Sequence, residues 1–342
     1  IIPHSAPAYD FVWTYFVPIL IPLFLMKADL RKILFETTRM TGAFLIAALG
    51  TVAGAVVAFS LIDIGPYPDS VVAGEFSRQA GAVGVFTATY IGGSVNYAAL
   101  IETTGLGRHD PSFVAAATAV DNLWSGLFLA VLAISPGWNW LANRFVKLDH
   151  SEDENAVPVS MISEQVSAAT LTYSAAFALL VVVLGDFVTS QLSEYFSGAG
   201  KWRFAIISLL ALIPATVAPR LMDKMHGGYE LGIGLSFVFF AMIAAGADVV
   251  TLVEQAPVMI LLIGILLFVH AVVTFGLGAL FRLSLPELIT ASNAAILGAT
   301  TAPALAAAKG WNNLVTPGVL VGVFGYAVGT IIATLVAGFW PV

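Results

Sequence analysis

The chain has 342 residues, of which 59% are hydrophobic and 10% are charged, and its formal net charge is −7. Soluble domains carry roughly a quarter charged residues, so this composition excludes an ordinary soluble enzyme. Without a basic cluster, a nucleic-acid partner is excluded as well. The chain contains no Cys, which excludes disulfides and thiolate metal sites. The sequence therefore predicts an all-α polytopic protein of the lipid bilayer, which we place in the bacterial cytoplasmic (inner) membrane.

Ten hydrophobic segments follow one another along the chain, and a span needs about 20 apolar residues. They cover 11–26, 40–64, 80–106, 111–134, 165–190, 203–221, 229–253, 257–281, 287–309 and 314–340. The first residue is Ile, so we expect the natural protein to begin earlier, with a further hydrophobic helix.

Small and polar residues interrupt two of these segments, the third and the ninth. A shift of 205 positions superimposes Gly93 on Gly298 and Gly105 on Gly310. Long internal repeats in a membrane chain are typical of secondary transporters. We therefore divide the chain into a first repeat (1–134), a linker loop with two connecting helices (135–228) and a second repeat (229–342).

The positions of Lys and Arg indicate how the two broken segments run. If all ten segments cross the membrane, the basic residues divide almost evenly between its two sides. If the broken segments are re-entrant hairpins, ten face one side, and the positive-inside rule makes that side cytoplasmic. These ten are Lys27, Arg31, Lys32, Arg39, Arg144, Lys147, Arg220, Lys224, Arg282 and Lys309. Hairpins also leave an odd number of crossings between equivalent helices, which inverts the repeats. The sequence favours hairpins over crossing, discontinuous helices.

The two breaks are the predicted binding site, because interrupted backbone in lipid survives only beside protein or water. The half-helix after each break directs its positive dipole end towards an anion, and free carbonyls can coordinate sodium. The residues concerned are Gly92, Gly93, Ser94 and Asn96 in one break, and Ser292, Asn293, Thr300 and Thr301 in the other. The alternative is a pair of structural kinks whose polar groups are satisfied locally.

Three polar residues, Thr118, Asp121 and Asn122, lie within the segment 111–134. Carboxylates at that depth are costly and usually line transport pathways, so we expect Asp121 to bind the coupling ion. The alternative is a hydrogen-bonded structural Asp. A bound sodium is expected near Asn96, Asp121 and Thr300, and no other cofactor is expected.

His270 lies in the middle of an apolar segment, where it either relays protons or only packs. Pairs of glycines four residues apart predict close helix packing. They are Gly50 with Gly54, Gly318 with Gly322, and Gly325 with Gly329.

Several motifs together resemble a known family. They are YIGGSVNYAAL (90–100), AVDNL (119–123), GADV (246–249), ITASNAAILGATTAPALAAAKGW (289–311) and GYAVGT (325–330). They resemble an uncharacterised bacterial integral-membrane family, domain of unknown function 819, grouped with the cation:proton antiporter and anion transporter superfamily. The resemblance implies a core domain with two broken helices that moves against a dimerising scaffold, and hence a homodimer. Superfamily antiporters carry an Asp-Asp or Asn-Asp pair on the helix after the first break, and Asp121-Asn122 occupies that place in reversed order.

The sequence thus predicts a secondary active transporter, not an enzyme, that moves a small organic anion with sodium or protons by alternating access. A cation/proton antiporter is the nearest alternative. A non-transporting membrane subunit would show dry, closed packing at both breaks. An intramembrane aspartyl protease would use Asp121 and Asp248 as its catalytic dyad.

Overall fold

The computed structural model describes residues 6–67, 76–151, 166–245 and 249–341, and within them the protein is a bundle of helices without strands. Its longer helices are α1 (Pro7–Leu25), α2 (Thr38–Leu61), α3 (Arg78–Thr104), α4 (Pro111–Ile134), α5 (Ala168–Tyr195), α6 (Arg203–Val217), α7 (Gly228–Ala245), α8 (Val249–Leu280), α9 (Leu285–Ile296), α10 (Thr301–Ala308) and α11 (Val315–Phe339). Eight helices of the described part are long and apolar enough to cross a membrane. The all-α polytopic class is confirmed. Asp248 lies outside the described residues.

The eight candidate spans correspond to the predicted segments once the two broken ones are set aside. One predicted boundary is wrong, because we expected a break near residue 255, between the segments 229–253 and 257–281. Instead, α8 runs continuously from Val249 through Gln255. The Gln255 side chain accepts a hydrogen bond from the buried Arg78 of α3 (3.3 Å), so a polar residue is accommodated here without a break in α8.

The first broken segment, α3, is a hairpin. Its backbone leaves the helical conformation at Gly92 and Gly93, and Gly93 has a φ of +63°, which favours glycine. A methyl group placed on Gly81 would lie 3.3 Å from the Cβ of Thr104. A straight helix would separate these two residues by about 35 Å. The two arms of α3 therefore run side by side and return the chain to the end at which it entered.

The second broken segment, α9 with α10, also begins and ends at one place. His150 contacts Ser284 at its start (2.8 Å) and Asn313 just past its end (2.9 Å). The turn between the arms contains Gly298, whose φ is +92°. Both broken segments thus take the hairpin form that the distribution of Lys and Arg favours.

The two hairpins open at opposite ends of the bundle, and α2 marks those ends. At the start of α2, Arg39 forms an ion pair with Glu287 (2.5 Å) at the base of the second hairpin. At the other end, Gln79, near the base of the first hairpin, donates to the carbonyls of Phe59 (2.7 Å) and Ile62 (2.9 Å). The hairpin tips therefore point towards each other from the two ends.

Glycine pairs bring the helices into backbone contact, as the sequence predicts. Methyl groups on Gly50 and Gly54 of α2 would collide with the backbone of α8 at His270 and Leu266. Such close contacts are the usual role of small residues at helix interfaces in membranes. The division of the chain into two repeats and a linker stays a prediction.

Candidate functional site

The tips of the two hairpins meet at one side chain of α11, Tyr326. A methyl group on Gly93, at the first tip, would lie 3.6 Å from Cε1 of Tyr326. One on Gly298, at the second tip, would lie 3.2 Å from its hydroxyl oxygen. The Tyr326 hydroxyl also faces the backbone amide of Ala299. Both tips therefore lie beside the same phenol ring in the interior.

The glycines of α11 allow this approach. A methyl group on Gly322 would lie 2.7 Å from the backbone nitrogen of Ala299, in the second tip. On Gly325 it would overlap the carbonyl oxygen of Ile91, and on Gly329 it would lie 3.1 Å from Cα of Gly92, in the first tip. Both tips thus pack closely against one helix, at the α11 glycine stripe (Gly322, Gly325 and Gly329).

Each tip presents one exposed polar residue. Between Ala80 and Ile101, Ser94 is the residue that is exposed, and every other residue of that stretch is buried. In the second hairpin the residues before the tip are buried or partly buried, and Thr300 is exposed. Two hydroxyl groups are therefore exposed where the arms turn.

Asn96 holds the first tip against α11 and keeps one oxygen without a partner. It is fully buried, and its Nδ2 donates to the carbonyl of Gly325 (3.1 Å). Its Oδ1 makes no hydrogen bond with any residue that the structure describes. A buried amide oxygen without a donor is costly, so this atom marks a position that suits a cation or a hydroxyl group of a ligand.

The second tip is tied internally. Thr301 donates its hydroxyl to Oδ1 of Asn293 (2.8 Å), and Asn293 Nδ2 donates to the carbonyl of Thr301 (3.2 Å). These bonds bridge the break between α9 and α10. Two predicted site residues therefore use their polar groups to hold the turn, while Thr300 beside them is exposed.

Asp121 of α4 faces the first arm of the first hairpin. It lies beside Thr89 and Tyr90, and Tyr90 also faces Ser125, one turn further along α4. The hydroxyl of Tyr90 and Oδ1 of Asp121 are both buried, yet neither forms a hydrogen bond within the described part of the chain. The hydroxyls of Thr89 and Tyr90 thus lie beside the Asp121 carboxylate, and that of Ser125 lies beside Tyr90. Oxygen atoms of this kind are the ligands that hard cations prefer.

The other two predicted residues of α4 make their hydrogen bonds outside this oxygen cluster (Thr89, Tyr90, Asp121 and Ser125). Thr118 is hydrogen-bonded to the hydroxyl of Tyr97 (2.7 Å) and donates to the carbonyl of Val114 (2.7 Å). Asn122 is exposed, and its amide donates to the carbonyl of Thr118 (2.9 Å). The structure therefore brings Asp121 to the hairpin and leaves Asn122 outside.

His270 of α8 is fully buried and hydrogen-bonded at both ring nitrogens. Its Nδ1 lies 3.0 Å from the Thr51 hydroxyl oxygen and its Nε2 lies 2.8 Å from that of Ser292. The predicted site residue Ser292 is thus engaged by a neighbouring helix.

The sodium position predicted between Asn96, Asp121 and Thr300 stays a prediction, since no hydrogen bond joins any two of them in the described residues. The structure shows them in three surroundings: against α11, in the oxygen cluster and at the second tip. No group of three or more His, Asp or Glu side chains suited to a metal occurs among the described residues. The oxygen cluster, with one carboxylate and three hydroxyls, fits a monovalent cation or a proton.

Sequence reasoning missed Tyr326, Thr89, Tyr90 and Thr51. Tyr326 lies inside GYAVGT, where the glycines indicate packing but give no partner. Thr89 and Tyr90 come directly before the first break, and a polar pair next to a glycine pair is the signal that could have found them. Thr51 resembles any other threonine of an apolar helix.

Comparison with known proteins places the chain in a family. The model of the family described as "Protein of unknown function (DUF819)" matches residues 1–340. The "Uncharacterized membrane protein YjcL" of Bacillus subtilis (strain 168) is 32% identical over 356 residues, covering 99% of this chain and 85% of the relative. This chain therefore belongs to the DUF819 family of proteins.

Proposed function

We propose that the protein is a secondary active transporter that moves a small organic anion together with sodium or protons by alternating access. One observation carries the proposal: two hairpins enter from opposite ends and their tips meet at Tyr326. Irregular backbone at this depth is tolerated where it lines a binding cavity. The exposed hydroxyls of Ser94 and Thr300 supply polar contacts there.

The arrangement suits alternating access because the two hairpins open at opposite ends of the bundle and share local features that support an inverted repeat. Gly93 and Gly298 both have positive φ, and so do the equivalent Gly105 (+75°) and Gly310 (+72°). Each hairpin also begins after a serine that caps its first turn, Ser77 in one case and Ser284 in the other. Inverted repeats place the substrate at their interface, and each repeat can open to its own side. The inner-membrane location and the homodimer belong to the same proposal.

The coupling ion belongs to the oxygen cluster around Asp121. An anionic substrate needs positive charge nearby. The arginines at the open ends of the hairpins are already in ion pairs, Arg78 with Asp110 and Arg39 with Glu287. The helix dipoles at the tips and a cation beside Asp121 would supply it instead. Asp121 is the acidic residue of this region whose Oδ1 is buried and unpartnered in the described structure.

The test is accumulation of radiolabelled mono-, di- and tricarboxylates in proteoliposomes, under an inward sodium gradient and, separately, an inward proton gradient. We expect accumulation above that of empty liposomes under one gradient. Asp121→Asn should abolish it while the variant remains folded. Asp186→Asn is the matched control, since Asp186 is 45% exposed and pairs with Arg203 near the start of α6. Accumulation that persists in Asp121→Asn removes Asp121 from the coupling mechanism.

A cation/proton antiporter is the second candidate, and the buried carboxylate oxygen Oδ1 of Asp121, which has no hydrogen-bond partner in the described residues, favours it. It needs no site for an organic anion at the hairpin tips. Proteoliposomes that release protons when sodium is added, with no organic substrate, support this alternative. If the whole carboxylate panel fails and sodium evokes no proton movement, both transport proposals are wrong.

A further inference from the structure

A buried chain of hydrogen bonds connects the two hairpins through α8 and α2. It begins at Ser292 in the first arm of the second hairpin, passes through His270 and Thr51, and ends at the carbonyl of Tyr90 in the first hairpin. Its three contacts measure 2.8, 3.0 and 2.9 Å in that order. All three side chains are fully buried. Tyr90 stands two residues before the break, so the chain reaches the tip itself.

The donors along this chain fix where the proton of His270 lies. A threonine hydroxyl has one hydrogen, and Thr51 donates it to the Tyr90 carbonyl, which can only accept. Thr51 must therefore accept from Nδ1–H of His270. Ala47, one turn earlier on α2, also turns its carbonyl towards the ring. Ser292 then donates to Nε2, which leaves a neutral imidazole protonated at Nδ1 alone.

The groups around the His270 ring do not stabilise a second proton on it. Those that face it are Thr51 and the Ala47 carbonyl of α2, Ser292 of α9, and the ring of Phe128 of α4 (centroids 5.8 Å apart). None of them carries a charge or titrates. The carboxylate of Asp121 belongs to α4 as well, but it lies seven residues before Phe128, about 10 Å along the helix axis.

We propose that His270 is a positioning residue, which fixes the two hairpin tips relative to each other as a neutral, Nδ1-protonated ring and does not carry a transported proton. The second half of this statement rests on the proposed function. The first half concerns geometry alone, so its tests do not depend on the identity of any substrate.

The protonation state can be read by ¹⁵N NMR of the full chain in lipid nanodiscs with ¹⁵N-labelled histidine. The His270 signals are those that disappear in His270→Asn. We expect the pattern of a neutral, Nδ1-protonated ring that does not change from about pH 5 to about pH 8, the range in which histidines commonly titrate. An imidazolium signal, or a proton on Nε2, overturns the proposal.

The positioning role can be measured as the distance between the tips. The chain has no Cys, so spin labels at Ser94→Cys and Thr300→Cys, both exposed, report that distance without further changes. Thr51→Val removes the link to Tyr90 and should broaden the distance distribution. The matched control is Thr274→Val, one turn after His270 on α8, because the buried Thr274 hydroxyl has no hydrogen-bond partner in the described residues. Thr274→Val should leave the distribution unchanged.

Conservative variants of His270 separate positioning from simple packing. Asn places an N–H where Nδ1–H stands but nothing near Nε2, so it keeps the bond to Thr51 and loses the bond to Ser292. Gln places its amide near Nε2, so it can keep the bond to Ser292 but loses the bond to Thr51. Each variant cuts the chain at one link, and we expect a broadened tip-to-tip distribution in both, as in Thr51→Val. Equal behaviour of Thr51→Val and Thr274→Val, or a narrow distribution in either His270 variant, contradicts the proposal. If these results hold but no transport is found, only the proposed function fails.

Discussion

Replacing Gly325 by Ala tests whether α11 holds the first hairpin by backbone contact. The new methyl group would overlap the carbonyl oxygen of Ile91 and lie 3.0 Å from Cζ of Phe44. A backbone oxygen cannot rotate away as a side chain can, so the hairpin must move. Overpacking of this kind costs about 1–3 kcal/mol, and we expect the upper end here. Removing a helical glycine returns about 1 kcal/mol, which leaves a net destabilisation of about 2 kcal/mol.

Gly338 provides the control on the same helix, because a methyl group there meets nothing within 4 Å. Gly338→Ala should therefore stabilise the protein by about 0.5–1 kcal/mol through helix propensity alone. The free energies of unfolding of both variants are measured by reversible denaturation in mixed detergent micelles. We expect the two substitutions to have opposite signs. If Gly325→Ala is as stable as Gly338→Ala, the inferred contact between α11 and the hairpin tip is wrong.

Two further predictions concern the end of the bundle at which the first hairpin opens. Asp110→Asn keeps the hydrogen bond from Phe113 N–H but leaves the buried Arg78 without its carboxylate partner. The free energy of unfolding should therefore fall by about 3 kcal/mol. An unchanged free energy of unfolding would show that the ion pair contributes nothing to stability. Burial, and then the charge of Asp110, raise the pKa of Tyr67 from its usual 10 to about 12. Tyr67 therefore ionises at a lower pH in the unfolded chain than in the folded one, so the free energy of unfolding falls as the pH rises above about 10. The ultraviolet absorbance titration of Tyr67, obtained as the difference between wild type and Tyr67→Phe, should have its midpoint near 12. A midpoint near 10 would contradict this.

Much of the architecture follows from composition and charge. Apolar length identifies the eight spanning helices, and the small, polar residues around Gly93 and Gly298 identify the two that break. The hairpin form follows from the positions of Lys and Arg, because a chain that returns to its side of entry changes the side of every later loop. These features are predictable because lipid imposes the same cost on every residue of a given type.

The partners at the site could not be predicted in the same way. Periodicity shows that Asp121 and Asn122 share a helix, but only the packing of α4 decides that Asp121 faces the hairpin and Asn122 does not. Tyr326 is one aromatic residue among many, and its position beside both tips depends on contacts between segments far apart in the chain. The boundary of α8 was misplaced because Gln255 pairs with Arg78, a partner that a local window does not contain.

If the broken backbone faces a hydrophilic site rather than lipid, the side chain of Ser94 at the first tip must be in contact with water. In Ser94→Cys the thiol is the only one in the chain, and Leu49→Cys on α2, where Leu49 is 53% exposed, is the control for a lipid-facing position. Both variants are treated in proteoliposomes with a charged, membrane-impermeant thiol reagent and with a lipid-soluble maleimide. We predict that Ser94→Cys reacts with the charged reagent and that Leu49→Cys reacts only with the maleimide. Modification of Ser94→Cys by the maleimide alone would contradict it.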